Sequence, residues 1–517
     1  MARKYLRYCA SGSVSLADLA TAMTHPKRPL SGFAPPGAPT VQHRILLDTL
    51  DWRFDAKGWL LEARISSIGA TAVLSNQRGT SFSGSLHGPW LKQQSIPTCL
   101  SLTDVEPEAL TSRITEIALE RAVVGICSLE VITLELEHLD PLDRVDASVE
   151  IARIDSSAET WISIFADSID EDLHDHIAKW FKDRIRSLWE VEAGHDYYDS
   201  ALATLRRRRG DFAVKTAISP RPGEHLTESL AAFLSKSWSN FSLAYATTKL
   251  DCDEESLHDL RVILRTTRAV LEPIVAKYKG GILKELLAET KLLAASTNKA
   301  RDLDVIVANL LARNPEPELS ALLEKLQAGV RNELRLAISK DLSKLERLWH
   351  GAIAFLIAGS QGVYKKSSHK DNFLQDKTVD FIKSATEAQK LICLHGVDTI
   401  ATQSDPSPAD LHQLRKDFKR LRYLLESFSV PRSPREERDI TEAKNLQTQL
   451  GLFQDAEVRM EFVIQLAAEH HDELIGTLGP RLIADAVAQR RDAQDNAVAT
   501  LRELAKTPGW KATGGKH

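Results

Sequence analysis

Apolar and polar positions follow two different rhythms along this 517-residue chain. Up to about Asp155 the apolar segments are short, and Pro and Gly interrupt them at Pro26 to Pro39, Gly69, Gly84, Gly88 and Pro97. Val131-Ile132-Thr133-Leu134-Glu135-Leu136-Glu137 and Ala147-Ser148-Val149-Glu150-Ile151-Ala152-Arg153-Ile154 alternate with period two, which predicts strands with one wet face. From Glu171 to Trp189 the spacing turns helical. Residues 200 to 222 read as a linker that holds Arg206-Arg207-Arg208-Arg209-Gly210 and ends at Pro220 and Pro222. From Glu224 to about Ala505 the pattern is almost wholly helical, and Thr507 to His517 is a Gly/Lys-rich tail expected to be disordered. The expected organisation is a β-rich domain over 1–200, a linker over 201–223, helices over 224–506 and a tail over 507–517.

Within the helical half one long motif occurs twice. Leu257-His258-Asp259-Leu260-Arg261-Val262-Ile263-Leu264-Arg265-Thr266-Thr267-Arg268 is echoed by Leu411-His412-Gln413-Leu414-Arg415-Lys416-Asp417-Phe418-Lys419-Arg420-Leu421-Arg422. His, Arg, Arg/Lys and Arg recur at i, i+3, i+7 and i+10, within a helical arc of roughly 80°. Leu257, Leu260, Leu264 and Leu271 flank the first basic stripe, and Leu411, Leu414, Phe418, Leu421 and Leu425 the second. Each helix is thus expected to bury its leucines and carry its cations along the edge of that contact. Two such faces need a polyanion or strong internal partners. The echo extends downstream, where Lys291 matches Lys444 and Asp302 matches Asp455, so two similar helical bundles are expected over about 224–360 and 375–506.

Composition narrows the classes. Hydrophobic content of 43 % and charged content of 26 % are ordinary for a globular protein, and the net charge of -5 argues against a generally basic nucleic-acid binder. Cys9, Cys99, Cys127, Cys252 and Cys393 are scattered without a CxxC pair, which suggests neither a disulfide framework nor a zinc site. No run reaches the ~18 apolar residues of a membrane helix, and residues 1–20 lack a signal-peptide core, so a cytoplasmic protein is expected.

Blander readings stand beside the basic faces. Asp259, Glu272, Asp417 and Glu426 could pair with the cations and make them a solvated, salt-bridged surface. A nucleic-acid site lacks stacking platforms, since only Tyr423 interleaves with the basic residues. Asp302 and Asp304 are read as orienting neighbours or capping a helix rather than binding metal. Arg206 to Arg209 are read as an exposed helix end, His174, His176, His470 and His471 as surface histidines, and Glu135 and Glu137 as the wet side of a strand.

At the paired motifs, and at Ala300-Arg301-Asp302-Leu303-Asp304-Val305 with its weaker partner Gln454-Asp455, the chain resembles the CHAD family, the conserved-histidine α-helical domain, over roughly 224–506. The resemblance implies two helical bundles with a basic channel between them that binds inorganic polyphosphate. It implicates His258, Arg261, Arg265, Arg268, His412, Arg415, Lys419 and Arg422, with Lys291 and Lys444 as a second tier.

The N-terminal half is similar to a CYTH domain, the triphosphate-tunnel barrel, at Leu47-Asp48-Thr49-Leu50-Asp51-Trp52-Arg53 and Gly58-Trp59-Leu60-Leu61-Glu62-Ala63-Arg64, with Arg206 to Gly210 as the closing basic turn. Its departures are chemical. CYTH enzymes open with E-x-E-x-K; here Lys4 aligns with the lysine, Ala2 replaces the second Glu, and the first falls before Met1. Glu62 stands where the hairpin carries an Arg, and Ser75 near an expected lysine. Metal-assisted triphosphate hydrolysis needs clustered carboxylates and phosphate-gripping cations, and parts of both are missing.

The expected fold class is therefore α+β: an N-terminal antiparallel, tunnel-like β-barrel followed by an all-α duplicated helical-bundle domain. The expected partner is inorganic polyphosphate, with no membrane and no specific nucleic acid, no cofactor and no catalytic residue. Granule association and protein partners at polyphosphate granules extend that expectation. Two alternatives are a Mg²⁺- or Mn²⁺-dependent triphosphatase in the N-terminal domain, dependent on Asp48 or Glu137, and a scaffold that docks partners on granules.

Overall fold

A computed structural model describes residues 3–10, 16–23, 33, 37–76, 80–88, 98–140, 142, 144–154, 160–167, 171–185, 188–190, 197–204, 207–212, 214–250, 254–278, 281–313, 316–338, 342–361, 376–428, 433–470 and 478–510. The chain divides into two units, one of Met1–Ala213 with Leu243–Ser256 and one of Val214–Ser242 with Leu257–His517.

The first unit is built on β1 (Arg3–Ala10), β2 (Thr40–Asp48), β3 (Trp59–Ser66), β4 (Gly69–Asn76), β5 (Thr80–Leu86), β6 (Val105–Glu106), β7 (Val124–Leu139), β8 (Val145–Ile154), β9 (Thr160–Asp167) and β10 (Leu188–Glu190). They form one sheet in the order β10-β1-β9-β8-β7-β2-β3-β4-β5-β6, and every pairing is antiparallel. The period-two segments fall inside β7 and β8, as alternation predicts.

One sheet face is apolar and is covered by helices. Leu134, Leu136, Val149, Ile151, Ile162 and Ile164 pack against α1 (Leu16–Met23) and α4 (Glu171–Arg184) through Leu16, Leu19, Ile177 and Phe181. Ile45, Leu47, Leu61, Ala63 and Leu74 pack against α2 (Arg53–Ala56) and α3 (Glu108–Ala118) through Phe54, Leu110 and Ile114. At Gly84 a Cβ would stand 1.8 Å from the Glu106 carbonyl oxygen, so the close approach of β5 and β6 requires glycine.

Three expectations change here. A fully closed barrel is not what forms: the sheet runs between end strands β10 and β6, and β1 meets β5 only at Arg3–Ser81 and Lys4–Thr80 among the described residues. The physical reason is that β1 divides its free edge, giving Tyr8 to Ala10 to β10, while β5 gives Ser85 and Leu86 to β6. The helical reading to Trp189 stops at Arg184, because Trp189 pairs with Cys9 in β10. The expected linker holds structure: after α5 (Tyr197–Thr204), Arg207 pairs with Asp211 at 3.1 Å, and Arg209 with Asp199 at 2.9 Å and Asp55 at 3.7 Å. Met1, Ala2 and Arg206 lie outside the described residues.

The helices that follow are α6 (Leu226–Leu250), α7 (Glu254–Tyr278), α8 (Gly281–Ser296), α9 (Asn298–Arg313), α10 (Pro317–Ile338), α11 (Ser343–Ser360), α12 (Thr378–Ala401), α13 (Pro408–Ser427), α14 (Pro434–Glu469) and α15 (Leu478–Leu504). Local chemistry sets their ends. Ser407 accepts from Asp410 N ahead of Pro408, and Ser433 forms a capping box with Glu436 ahead of Pro434.

The two motif copies lie on α7 and α13. Lys291 and Asp302 sit on separate helices, α8 and α9, whereas Lys444 and Asp455 share the unbroken α14. The break falls at Thr297-Asn298, whose polar side chains favour caps; the Thr297 hydroxyl donates to the Ala294 carbonyl at 2.8 Å. Its counterpart in α14 is Leu450, which has no such alternative.

The predicted leucine stripes are buried. Leu260, Leu264 and Leu271 are shielded on α7, and Leu411, Leu414, Phe418 and Leu421 pack on α12, α14 and α15. A further cluster joins the copies through Leu303, Val307 and Leu310 of α9 and Val463 and Leu466 of α14. Trp510, 1 % exposed, stacks on Phe418 at 5.1 Å, so chain order continues past Thr507; residues 511–517 lie outside the described residues. Among the described residues no helix is long and apolar enough to cross a membrane.

Candidate functional site

The basic stripes meet at a cleft of about 1090 Å³ in the second unit, lined from α7, α8, α9, α12 and α13. Eight lining side chains are cationic and one, Glu272, is acidic. Burying leucines on one side of α7 turns Arg261, Arg265 and Arg268 into the cleft. On α13 the lining face carries Lys416, Lys419, Arg420 and Tyr423, a spacing that keeps them together on one side of a helix.

These cations differ in how far they are already satisfied. Arg261 donates to Thr297 Oγ1 at 3.1 Å and Asn298 Oδ1 at 2.9 Å, and is thereby anchored without an ion-paired carboxylate among the described residues. Glu272 sits 3.0 Å from Lys291 and 4.0 Å from Arg268. Lys277 pairs with Asp376 at 2.8 Å, and Arg420 with Asp417 at 3.3 Å. Arg265 and Lys419 make no ion pair with a carboxylate among the described residues. They meet the ring of Tyr423 instead, at 4.8 and 5.8 Å from its centroid.

Crowded charge has a measurable consequence at Lys419. Burial, then Arg415, Arg265, Arg268 and Arg261, pushes its ammonium down to about 8. The sign follows from linkage. Between about pH 8 and the ordinary lysine range the unfolded chain holds more protons than the folded one, so folding stability rises with pH there. Below about pH 8 the charged lysine is a standing repulsion, which an arriving polyanion would relieve.

The structure brings five of the ten expected binding residues together: Arg261, Arg265, Arg268, Lys291 and Lys419. The other five, His258, His412, Arg415, Arg422 and Lys444, are not among the lining residues. Three of these tie α13 to α14. His412 Nδ1 bonds to Gln454 Oε1, Arg415 lies 3.9 Å from Asp455, and Arg422 donates to Gln447 Oε1 at 2.5 Å and to Glu426 on its own helix at 2.7 Å. Lys444 is exposed on α14, and His258 is half-buried on α7. Lys277, Asn298, Lys416, Arg420 and Tyr423 line the cleft without having been expected there. The available signal was α13 itself, where Lys416, Lys419, Arg420 and Tyr423 form their own i, i+3, i+4, i+7 set.

Asp304 accepts from Gln327 at 3.1 Å and faces Arg331 at 3.7 Å, which joins α9 to α10. Among the described residues no group of three or more His, Cys, Asp or Glu is placed to hold a metal ion.

The polar face of the sheet in the first unit holds a different cluster. Arg44 and Glu62 are 0 % exposed and Glu150 2 %. Glu150 accepts from Arg44 at 2.7 and 3.1 Å and from Arg64 at 2.6 Å. Glu62 accepts from Arg64 at 3.1 Å and stands 3.7 Å from Arg7 and 3.9 Å from Arg44. Burial opposes ionisation of Glu150, but Arg44 and Arg64 overcome it and hold the carboxyl below the usual range. Asp48 is buried and accepts from the backbone N–H groups of Thr49, Phe54 and Asp55, capping the first turn of α2; burial pushes its carboxyl up to about 7. Glu135 and Glu137 are exposed.

Comparison with known proteins bears on the helical part. Residues 243–464 match the family model described as the CHAD domain. Among solved structures, the crystal structure of the CHAD domain from the plant Ricinus communis aligns with a TM-score of 0.46 and 22 % identity, over 56 % of this chain and 96 % of that one. No curated protein matches the chain. The family match begins at residue 243 and does not bear on the CYTH likeness of residues 1–200. Residues 243–464 of this chain are accordingly a CHAD domain.

Proposed function

We propose that the helical unit binds inorganic polyphosphate non-covalently along the cleft between α7 and α13. The observation that carries this reading is the convergence of cations from both motif copies on one cleft with a single carboxylate. A linear polyanion offers many equivalent oxygens, and Arg261, Arg265, Lys416 and Lys419 are four cations with no ion-paired carboxylate among the described residues. Arginine forks grip two oxygens at once and lysines follow as point charges. His412, Arg415 and Arg422 act behind this face, holding α13 on α14, and Arg415 adds its field at Lys419. Association with polyphosphate granules would follow from such affinity.

In the same reading the sheet unit is a non-catalytic relic of a triphosphate-tunnel domain. Its polar face keeps Arg7, Arg44 and Arg64, but each is already paired with Glu62 or Glu150, and Asp48 is engaged in capping α2. A triphosphate would have to displace buried ion pairs to enter.

Calorimetric titration of the full chain with polyphosphates of graded length tests the proposal. Affinity is expected to climb from tripolyphosphate to longer chains as more cations are engaged, then to level off. Tripolyphosphate binding as tightly as long chains would point to a single-point anion site and overturn it.

A further inference from the structure

We propose that Tyr423 is a positioning residue that binds the cations of the two motif copies into one phosphate cradle, an inference that rests on the polyphosphate reading of the cleft. The ring meets both Arg265 of α7, 4.8 Å from its centroid, and Lys419 of α13, 5.8 Å away. The two cations repel each other, and neither forms an ion pair with a carboxylate among the described residues. Each could relax by swinging out to solvent, and the cleft would then lose two of its cations. The electron-rich face of a tyrosine attracts both within the range where cation–π contact is effective. It offsets the repulsion without supplying a negative charge, which would compete with phosphate for the same groups. A carboxylate in that place would neutralise the cradle; an aliphatic side chain would let it splay.

Charged groups and the ring act on Lys419 from three helices among the described residues. Arg261, Arg265 and Arg268 approach from α7, Arg415 and Tyr423 from α13, and Asp455 from α14. The cations outnumber the carboxylate, and the ring is the neutral group in contact with Lys419 that favours its charged form.

The test reads the lysine directly. Side-chain NMR titration of the full, ligand-free chain, with Lys419 assigned by its loss in Lys419→Met, is compared across Tyr423→Phe, Tyr423→Leu and Arg265→Met. Tyr423→Phe keeps the ring and is expected to leave the Lys419 midpoint where the wild type has it, near 8. Tyr423→Leu is expected to lower it by about one unit, a tenfold change in the protonation equilibrium. Arg265→Met removes a like charge and is expected to raise it.

In a parallel titration with long-chain polyphosphate, Tyr423→Leu is expected to weaken binding roughly tenfold, and Tyr423→Phe to stay within about twofold. An unchanged Lys419 midpoint in Tyr423→Leu would overturn the inference. So would a midpoint that moves as far in Tyr423→Phe, since that would give the role to the hydroxyl. A displaced midpoint in Tyr423→Leu together with wild-type protein that ignores polyphosphate supports the tyrosine's role and sinks the polyphosphate reading alone.

Discussion

Replacing Arg261, Arg265 and Lys419 together by alanine is expected to weaken polyphosphate binding by at least about a thousandfold. Each charge-assisted contact contributes about 1.5–3 kcal/mol, and three neighbours that couple add at the lower end, near 4.5 kcal/mol. The same variant should fold at least as well as the wild type. Lys419 is held in its charged form against Arg261 and Arg265, so removing all three relieves a repulsion. Titration and thermal unfolding on one preparation check both halves of the expectation. Arg144→Ala serves as the control, because that side chain is 73 % exposed and lies in the first unit. Equal loss from the triple variant and from Arg144→Ala would mean that general charge, not the cleft, attracts the ligand.

The second large effect belongs to the sheet. Glu150→Ala leaves Arg44 fully buried and Arg64 nearly so, and leaves Glu62, which Arg7 also approaches, as the carboxylate paired with them among the described residues. Breaking a buried pair from one side costs about 3–5 kcal/mol. In a unit of this size that corresponds to roughly 6–20 °C of melting temperature. Scanning calorimetry should show one transition moved down by that amount, while Glu137→Ala, on an exposed carboxylate, leaves it in place. The pH sign is fixed by the direction of the shift. Since Arg44 and Arg64 depress the Glu150 carboxyl against its burial, its contribution is present above the ordinary glutamate range and lost as pH falls through the depressed value. A Glu150→Ala protein with unchanged transitions would show that the network adds nothing to folding.

Much of this architecture was legible in the chain because it rests on periodicity. The alternation of Val131 to Glu137 and Ala147 to Ile154 gave two adjacent strands, and the leucines flanking each basic stripe gave the buried side of α7 and α13. What periodicity could not supply was partner choice. The Trp189 segment has a helical neighbour but an empty strand edge beside Cys9, and the edge decided its fate. Arg209 read as part of an exposed helix end because its partners, Asp55 and Asp199, lie outside the cationic run, and Arg207 because its pairing with Asp211 depends on the turn between them. Glu62 was visible as the wrong charge for a phosphate site; that it would be gripped by Arg64 and approached by Arg7 and Arg44 required the sheet's register.

The site was legible to the same extent. Matching the two motif copies position by position implied that equivalent residues face the same ligand. In α7, Arg261, Arg265 and Arg268 line the cleft together. In α13 the equivalent stripe is partly taken up by α14, because Gln447, Gln454 and Asp455 lie on one long helix beside it. The cleft therefore receives Lys416, Lys419 and Arg420, a face turned by about one residue. The asymmetry begins with Thr297-Asn298, which splits the first copy's partner helix and leaves Leu450 without a counterpart break.

The most direct measurement is titration of the full chain with long-chain polyphosphate at two salt concentrations, with duplex DNA and heparin as competitors. Four cations without ion-paired carboxylates predict a slope of roughly −3 in log affinity against log salt, by analogy with single-stranded nucleic acid. The account predicts tight, salt-sensitive binding that neither competitor displaces at equal charge concentration. Absence of binding, or ready displacement by both DNA and heparin at equal charge concentration, would contradict it and return the cleft's cations to general electrostatic attraction.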